Sequence, residues 1–540
     1  MTTILSQKIS ATTAELFEEC REQPPIVRIE IPSDPKYGDY STNVAMQLAP
    51  VVKDSPLRIA TKLREALGEI PGIESVEVVP PGFMNFKVST SWFFRQIAAI
   101  TKDPKSFGTS DLGQGRRMLL EFISANPTGP MTLGNGRGGF AGDTLANIMS
   151  AAGFNVSREY YVNNIGNQVD RLAESVIRRS FQLQGINVEY PEDLYQGEYI
   201  ADLAKQLQLQ RYSLKSAPEL KARIKGRVVN MMIKELERVV EKKMKITFDR
   251  WFKESELIER GLDEKVLAML RERELLYEQD GAIWFKTTAY GDDKDRVLIK
   301  SDGEKTYFLS DIALRYDRFV ERKFEHEILF LGADHHGYIG RLKAAVTGLG
   351  FPGAIDIFIV QFARLMKDGV EVKISKRAGN FVTIEELIDE VGADAARFFF
   401  LLHAANTHMD FDLNLAKDRS DKNPVYYVQY AHARICSILK KAHGLPEKKS
   451  SVEVDPSEVA LMKEILRLPT LVEEISRSYD VHKLPFYAVG LATAFHSFYT
   501  RVRVIDDGHV DPKRLDLIEA TKIALAKALG LMGVTAPSKM

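Results

Sequence analysis

Cysteine and tryptophan are scarce in this chain, and long apolar runs are missing. Its 540 residues include two cysteines, Cys20 and Cys436, and three tryptophans. Two cysteines so far apart argue against a disulfide framework and against a cysteine-based zinc site. No run of eighteen or more apolar residues occurs, which argues against a membrane-spanning helix. The first residues lack a basic region followed by an apolar core, so we expect a cytoplasmic protein.

An excess of charge of one sign is also missing, because the formal net charge is -1. The charge is nevertheless uneven along the chain. Residues 201–250 carry thirteen Lys and Arg against six Asp and Glu, and residues 421–540 carry seventeen against fourteen. Binding of phosphate backbones needs only a local cationic face, so nucleic acid remains a candidate partner. A solvated helix surface explains the first cluster equally well.

The length of the chain predicts three or four domains. Residues 1–110 read as a small α/β domain. Helical spacing covers 2–20 and 40–51, and strand patterns cover 26–31, 76–79 and 83–88. The turn signal Pro80-Pro-Gly82 separates the last two strand patterns, and it predicts a hairpin.

Residues 111–410 alternate strand and helix patterns. Strands are predicted at 118–123, 156–162, 327–331 and 355–360, and helices include 140–151 and 339–349. This alternation predicts a Rossmann-like, doubly wound parallel sheet whose ligand lies at the carboxyl ends of the strands. A mostly helical insertion occupies about 170–300. Residues 411–540 read as an all-helical domain, with helices at 425–441, 457–478, 484–500 and 516–532.

A glycine- and proline-rich stretch, residues 125–138, joins the first strand of this sheet to a helix. Gly134 and Gly136 would let the backbone approach a bulky anionic ligand, and amides at the helix start would face phosphates. An ordinary strand-to-helix turn uses glycine in the same way. Much later, Lys373-Ile-Ser-Lys-Arg377 forms a dense cationic cluster, which is either a phosphate clamp or a solvated basic turn.

These two segments resemble the HIGH and KMSKR motifs, with which class I aminoacyl-tRNA synthetases bind ATP. Longer motifs resemble one family in this class, the arginyl-tRNA synthetases: Glu121-Phe-Ile-Ser-Ala-Asn-Pro-Thr-Gly-Pro130, Glu159-Tyr-Tyr-Val-Asn-Asn-Ile-Gly-Asn-Gln168, Leu331-Gly-Ala-Asp-His-His-Gly-Tyr338, Asp394-Ala-Ala-Arg-Phe-Phe-Phe400, Asn423 to Arg434 and Gly533-Val-Thr-Ala-Pro537. The resemblance implies a tRNA-contacting N-terminal domain, a catalytic domain and a helical anticodon-binding domain. It implies an arginine–tRNA ligase that activates arginine with ATP only when tRNA is bound.

The resemblance also implies which residues bind ATP. They are Pro127, Gly129, Gly134, Gly136, Asp334, His335, Lys373, Ser375 and Lys376. The chain departs from the family pattern where Thr132-Leu-Gly-Asn135 replaces His-x-Gly-His. Thr132 keeps a hydroxyl and Asn135 keeps a neutral donor, so we expect both to take part in catalysis with Lys373 and Lys376.

Four residues match the arginine pocket of the family: Glu121, Asn126, Tyr307 and Asp311. A guanidinium fork is best held by carboxylates, which Glu121 and Asp311 would supply. Glu121 could instead pair with Arg116 or Arg117. Asp311 could instead cap a helix over 312–319, which is a common role for aspartate.

Tyr426, Tyr430 and Arg434 would stack on unpaired bases of tRNA, although an aromatic stripe at helical spacing is also typical of a core. Asp334-His335-His336 could bind a metal, but no further ligand lies at a suitable spacing. The only metal we expect is the Mg²⁺ that ATP carries. We further expect a monomer that has no tightly bound cofactor and does not associate with membranes.

Two other functions remain open from the sequence alone. A relative that binds tRNA or nucleotide without ligase activity would explain the changes at Thr132 and Asn135. A nucleotidyltransferase with another substrate would share the phosphate motifs without needing an anticodon domain.

Overall fold

The structure of the protein is a computed structural model that describes all residues except 33, 210–216, 373–382 and 449–452. The helices in the described residues are α1 (Thr2–Leu16), α2 (Val44–Val52), α3 (Pro56–Leu67), α4 (Thr90–Lys102), α5 (Leu133–Ala151), α6 (Asn167–Leu183), α7 (Glu198–Leu207), α8 (Ala217–Arg238), α9 (Ser255–Glu259), α10 (Leu262–Glu272), α11 (Tyr307–Arg315), α12 (Ile339–Gly348), α13 (Ile384–Val391), α14 (Ala393–Leu401), α15 (Leu413–Lys417), α16 (Pro424–Ala442), α17 (Pro456–Leu466), α18 (Leu468–Ser478), α19 (Lys483–Arg501) and α20 (Pro512–Met532). The strands in the same residues are β1 (Tyr40–Thr42), β2 (Ile73–Val79), β3 (Phe83–Val88), β4 (Arg117–Glu121), β5 (Asn155–Val162), β6 (Arg250–Lys253), β7 (Leu276–Gln279), β8 (Ala282–Phe285), β9 (Arg296–Ile299), β10 (His326–Gly332), β11 (Ile355–Val360), β12 (Ala363–Lys367), β13 (Val370–Glu371), β14 (Met409–Asp412), β15 (Ile505–Asp506) and β16 (His509–Val510).

The chain divides into two compact units, and each contains parts of the C-terminal region. One unit comprises Met1–Phe107, Ile435–Thr470 and Thr493–Ala524. The other comprises Gly108–Arg434, Leu471–Ala492 and Leu525–Met540. The domain boundaries that the sequence suggests near residues 110 and 410 therefore stay predictions.

The first unit contains a three-stranded antiparallel sheet in the order β1-β3-β2. The predicted hairpin around Pro80-Pro-Gly82 is confirmed, because β2 pairs with β3 across this turn. The strand predicted at 26–31 is wrong: these residues form only an isolated bridge between Glu30 and Ser41. Prolines lie on both sides of that segment, and a proline has no N–H to donate to a sheet.

The second unit is built on a five-stranded parallel sheet in the order β11-β10-β4-β5-β6. Four of these strands fall where the sequence predicts strands, so the predicted doubly wound fold is confirmed. The fifth, β6, lies inside the segment that was predicted to be a mostly helical insertion. That segment also contains an antiparallel sheet in the order β7-β8-β9, which the prediction missed.

Helix α5 begins at Leu133, seven residues before the predicted start at Phe140. Glycine has a low helix propensity, which made residues 133–139 read as a loop. Tertiary packing outweighs this cost. A Cβ on Gly142 would lie 2.4 Å from Phe122 Cγ, and a Cβ on Gly139 would lie 2.8 Å from Ile123 Cδ1. The glycines therefore let α5 lie directly against the chain that follows β4.

The C-terminal region is helical, as predicted. Residues 457–478 form two helices, α17 and α18, instead of the single predicted one. In addition, β15 and β16 form a short hairpin before α20. Over the parts of the chain that the structure describes, no helix is both long enough and apolar enough to cross a membrane.

Candidate active site

The chain leaves β4 through a strained turn. Ile123 and Ser124 both have positive φ angles, 69° and 39°, a conformation that a β-branched residue rarely adopts. The hydroxyl of Ser124 donates to Glu121 Oε1 at 2.9 Å and accepts the backbone N–H of Tyr161 at 3.1 Å. Backbone strain of this kind is often found at functional sites, and here it lies at the carboxyl edge of the parallel sheet.

Two tyrosines hold the segment that follows. The hydroxyl of Tyr160, on β5, donates to the carbonyl of Ala125 at 3.0 Å, and that of Tyr199, on α7, donates to the carbonyl of Thr128 at 2.8 Å. Pro127 is buried in this segment. A Cβ on Gly129 would lie 3.6 Å from the Tyr199 hydroxyl. The structure therefore places Pro127 and Gly129 in the turn between β4 and α5.

Thr132 and Asn135 form a capping box at the start of α5. Thr132 Oγ1 accepts the N–H of Asn135 at 3.4 Å, and Asn135 Oδ1 accepts the N–H of Thr132 at 3.0 Å. This arrangement satisfies two backbone donors that the first turn of a helix otherwise leaves unpaired. Among the described residues, none accepts a hydrogen bond from the amide nitrogen of Asn135, which is therefore available to a ligand.

A cavity of about 170 Å³ opens beside this capping box. Its lining includes Thr132, Gly134 and Asn135 at the start of α5, together with Phe330–Ala333 at the end of β10 and Val360–Phe362 at the end of β11. It lies at the carboxyl ends of the central strands, where ligands bind in such sheets. The structure thus brings together Thr132 and Asn135, predicted to take part in catalysis, Gly134, predicted to bind ATP, and the amides at the start of a helix.

Gly136 has a packing role beside the one that the sequence suggests. A Cβ on this residue would lie 2.4 Å from Ile384 Cδ1, so its missing side chain allows α5 to pack against the start of α13. The assignment of Gly136 to ATP stays a prediction.

Lys373, Ser375 and Lys376 lie outside the described residues, and the residues on either side of 373–382 are described. Before the loop, the N–H of Val372 donates to the carbonyl of Leu365 at 2.8 Å. After it, Thr383 bridges to Thr132, and the N–H of Ile384 donates to the carbonyl of Met131 at 3.0 Å. Thr383 and Ile384 therefore contact the capping box and the residue before it. Asp334 and His335 lie in the turn Ala333–Tyr338, and their side chains are outside the described part.

Glu121 is buried and belongs to an internal ion-pair network. Its Oε2 accepts from Arg318 Nη2 at 2.5 Å, and the same guanidinium contacts Glu159 and Glu327. Burial lowers the pKa of Arg318, but the three carboxylates raise it well above its ordinary value. The partner suggested from sequence, Arg116 or Arg117, was wrong, because the partner is Arg318, in the helical turn Tyr316–Glu321 that directly follows α11.

Asp311 lies in the second turn of α11, so the helix-capping alternative is wrong. It accepts a hydrogen bond from the Tyr338 hydroxyl at 2.8 Å and lies 3.6 Å from Arg315. Tyr307 begins the same helix and is 67% exposed, and its hydroxyl would lie 3.8 Å from a Cβ on Gly166. Asn126 is also exposed, in the turn after β4.

Glu254 is a site residue that the sequence interpretation missed. It follows β6 directly and is buried. Burial, and then the charge of Asp311, raise its pKa to about 7, while a hydrogen bond from Tyr161 acts in the opposite direction. The charges of Glu254, Asp311 and Glu121 all raise the pKa of Tyr161, whose largest shift comes from burial. Three carboxylates, opposed by Arg315, are therefore near enough to Tyr161 for their charges to act on it.

The predicted RNA-binding side chains share one face of α16. Tyr426, Tyr430 and Arg434 follow each other at intervals of four residues, and the rings of Tyr426 and Tyr430 are stacked with centroids 6.4 Å apart. Tyr430 and Arg434 are exposed, and Tyr426 is half-buried. Two of the three side chains are thus accessible to a partner, whereas a core stripe would be buried.

Metal ligands do not cluster in the described residues: no group of three or more His, Cys, Asp or Glu side chains there could hold an ion.

Comparison with known proteins adds family models that match nearly the whole chain. Residues 3–88 match the arginyl tRNA synthetase N-terminal domain, residues 96–412 match the catalytic domain of class I (R) tRNA synthetases, and residues 428–540 match the DALR anticodon binding domain. The chain belongs to the arginyl-tRNA synthetase family. The predicted family is therefore confirmed.

Relatives over the full length agree with this membership. The chain is 43% identical to an arginine–tRNA ligase of Shouchella clausii, with 98% of this chain and 96% of the relative covered. It is 44% identical to one of Symbiobacterium thermophilum, with 96% and 94% covered. The arginyl-tRNA synthetase of Thermus thermophilus has the same fold, with a TM-score of 0.79, 21% identity and complete coverage of both chains.

Family membership settles the class of the enzyme. The chain is a class I aminoacyl-tRNA synthetase, and the predicted arginine–tRNA ligase function is confirmed. The alternative of a relative without ligase activity, which rested on Thr132 and Asn135, is not supported.

Proposed function

We propose that the protein joins arginine to its cognate tRNA in two steps, at the edge of the parallel sheet. The carboxylate of arginine attacks the α-phosphorus of ATP, the bond to the β-phosphate breaks, and pyrophosphate leaves. A ribose hydroxyl of the terminal adenosine of tRNA then attacks the carbonyl carbon of arginyl-adenylate, and AMP leaves. The observation that carries this proposal is the group of three carboxylates around Tyr161, which suits a guanidinium.

We assign part of ATP to the cavity between α5 and the ends of β10 and β11, which at about 170 Å³ is too small for the whole nucleotide. The amino acid carboxylate is already a nucleophile at neutral pH, so the first step needs no general base. Catalysis then depends on positioning and on stabilising the charge of the leaving pyrophosphate. We assign the amides at the start of α5 and the amide nitrogen of Asn135 to ATP, and Lys373 and Lys376 to pyrophosphate. Mg²⁺ enters with ATP as part of the substrate.

The guanidinium of arginine would lie among Glu254, Asp311 and Glu121. Burial raises the pKa of both Glu254 and Asp311. The charge of Asp311 raises the pKa of Glu254 further, and the charges of Glu121 and Glu327 raise the pKa of Asp311. A bound cation would relieve this repulsion. Glu121 already pairs with Arg318, so we assign it mainly to shaping the pocket. Tyr307 would cover the alkyl stem, and Asn126 would bind the α-amino or carboxylate group.

The partner in the second step is the cognate arginine tRNA. Tyr426, Tyr430 and Arg434 offer aromatic and guanidinium planes, on which unpaired bases stack. We propose that bound tRNA is required before arginine is activated, and that the enzyme acts as a cytoplasmic monomer.

Arginine-dependent exchange of pyrophosphate into ATP, measured with tRNA present, tests the proposal. Wild type should exchange with arginine and not with lysine or citrulline, which lack the guanidinium. Lys373→Ala and Lys376→Ala should each lower the rate about a hundredfold, the usual order for a lost charged contact in the transition state. Lys448→Ala, which removes a lysine from the loop before α17, is the matched control and should exchange normally.

The pocket assignment has its own test. Asp311→Asn and Glu254→Gln should each weaken arginine binding and leave binding of a non-hydrolysable ATP analogue within about twofold. Truncating one member of a buried charge pair typically costs about 2–5 kcal/mol. Equal weakening of both ligands in calorimetric titrations would give these carboxylates a structural role and would reject the pocket.

A further inference from the structure

Arg137, on the second turn of α5, is a buried cation without an acidic partner among the described residues. It is 1% exposed. Its Nη1 donates to the carbonyls of Gln361 and Phe362 at 2.9 Å and 3.4 Å, and its Nη2 donates to the carbonyl of Ala404 at 2.8 Å. Burial lowers its pKa to about 10, so the side chain remains charged at neutral pH. Burying a charge is costly unless hydrogen bonds compensate, and here backbone carbonyls supply them.

These carbonyls belong to segments at the nucleotide cavity. Gln361 and Phe362 line it together with Thr132 and Asn135, and Phe362 is 62% exposed. The N–H of Gln361 also donates to the carbonyl of Ala405 at 2.9 Å. Two neighbouring loops are therefore bonded to each other, and the guanidinium of Arg137 joins both of them to α5.

The residues before α5 also bond to the chain that leads into α13. Thr383 and Ile384 bond to Thr132 and Met131. The start of α5 is therefore bonded to two separate segments of the catalytic region: to Thr383 and Ile384 through Thr132 and Met131, and to Gln361 and Phe362 through Arg137.

We propose that Arg137 is a positioning residue that fixes Gln361 and Phe362, which line the nucleotide cavity, relative to the start of α5. It acts through the backbone of Gln361 and Phe362 and does not touch ATP itself. The proposal rests on the function proposed above, because it assumes that the cavity between α5 and the ends of β10 and β11 binds ATP. A guanidinium presents a rigid fork of donors that can hold several carbonyls at once, whereas a lysine ammonium is a point charge on a flexible stem.

Arg137→Lys and Arg137→Gln test this, with Arg397→Lys as the matched control. Arg397 is equally buried, and it donates to the carbonyls of Met532 and Met244 and to Asp143, away from the cavity lining. Binding of a non-hydrolysable ATP analogue and of arginine would be titrated separately, with melting temperatures and pyrophosphate exchange measured alongside. We expect both Arg137 variants to bind the analogue at least about tenfold more weakly and arginine within about twofold. We expect Arg397→Lys to lose thermal stability and to bind both ligands within about twofold.

Several results would overturn the proposal. One is analogue binding within twofold of wild type in a folded Arg137 variant. Another is equal weakening of ATP and arginine binding, which would indicate a general structural role. A third is an insoluble Arg137→Lys protein beside a soluble Arg397→Lys protein, which would assign Arg137 to folding. The analogue titration needs no arginine. A wild-type protein that binds the analogue but shows no arginine-dependent exchange would therefore reject the proposed function and leave the proposal on Arg137 standing.

Discussion

At the level of single residues, the ionisation of Glu254 should make the use of arginine depend on pH. Its carboxyl group has a pKa of about 7, raised by burial and by Asp311, so it loses its negative charge as the pH falls through neutrality. A neutral Glu254 cannot balance a guanidinium, and kcat/KM reports the ionisation of the free enzyme. We therefore expect kcat/KM for arginine to fall about tenfold between roughly pH 8 and pH 6.

Glu254→Gln is the control for this pH profile. It removes the ionisable group, so the profile for arginine should become flat over the same range, at a lower level. The wild-type profile for kcat/KM of ATP should be nearly flat, because Glu254 lies at the arginine end of the site. A Gln variant that keeps the wild-type slope for arginine would assign the titration to another group.

Asn135 combines two roles that substitution can separate. Its Oδ1 completes the capping box with Thr132, whereas its amide nitrogen is assigned to ATP. Asn135→Asp keeps an acceptor for the cap, and a carboxylate is favourable near a helix N-terminus, but it removes the donor and repels phosphate. We expect an unchanged melting temperature with at least about a tenfold loss in aminoacylation, which corresponds to 1.4 kcal/mol.

Asn135→Ala removes both roles. We expect it to lose activity as well, together with about 0.5–2 kcal/mol of stability from the lost cap. Asn135→His restores the usual residue of the family and should stay within about tenfold of wild type. Wild-type activity of Asn135→Asp would show that the backbone of α5, and not this side chain, holds the nucleotide.

At the level of secondary structure elements, α5 depends on its glycines for contact and not for flexibility. A Cβ on Gly142 would lie 2.4 Å from Phe122 Cγ and 2.7 Å from its Cβ, atoms near the backbone that cannot move aside easily. Forcing atoms into a packed core typically costs about 1–3 kcal/mol. Gly142→Ala should therefore lower the melting temperature, although alanine is the better helix former.

For Gly226→Ala in α8 we expect the opposite effect on stability. No atom lies within 4 Å of a Cβ built there, so only the helix propensity changes. We expect a gain of about 0.5–1 kcal/mol for the region around α8. Thermal unfolding followed by circular dichroism compares the two variants. A Gly142→Ala protein at least as stable as Gly226→Ala would contradict the packing role.

Elements with regular apolar patterns could be predicted from the sequence, and elements fixed by packing could not. The strand Ile355–Val360 was predicted with its observed bounds, because five of its six residues are apolar and all five are β-branched or aromatic. β6 has only four residues, Arg250–Lys253, with a charged residue at each end, so no pattern distinguishes it from the surrounding helices. Glu254 was missed for the same reason, since its place in the site follows from β6.

At the level of the whole molecule, the buried ion pairs between Arg318 and carboxylates of the parallel sheet are contacts that the sequence alone could not predict. Arg318 meets Glu121 and Glu159 across 197 and 159 positions of chain, and no local spacing indicates such pairs. The motifs that resemble the family did identify the fold, the order of the regions and the enzyme class. They also identified Asp311 and Asn135 as site candidates, but they said nothing about the contacts that hold either residue in place.

The dependence of arginine activation on tRNA is a property of the whole enzyme. It can be tested by measuring the effect of tRNA on the small ligands and the effect of the small ligands on tRNA binding. If bound tRNA raises the affinity for arginine or ATP by some factor, these ligands must raise the affinity for tRNA by the same factor. We expect pyrophosphate exchange to require tRNA. We also expect arginine with a non-hydrolysable ATP analogue to tighten tRNA binding at least about fivefold, the lower end of typical coupling.

Binding of tRNA must be compared at one fixed salt concentration, because contacts to phosphates weaken steeply with salt. Tyr430→Ala is the useful variant, since its exposed ring lies on the α16 face assigned to RNA. It should weaken tRNA binding with and without the small ligands by a similar factor, and so leave the coupling intact. Exchange at the wild-type rate without tRNA would contradict the requirement. A different result is exchange that needs tRNA although arginine and the ATP analogue leave the affinity for tRNA unchanged. In that case tRNA accelerates the chemical step itself, because reciprocity applies to binding affinities and not to reaction rates.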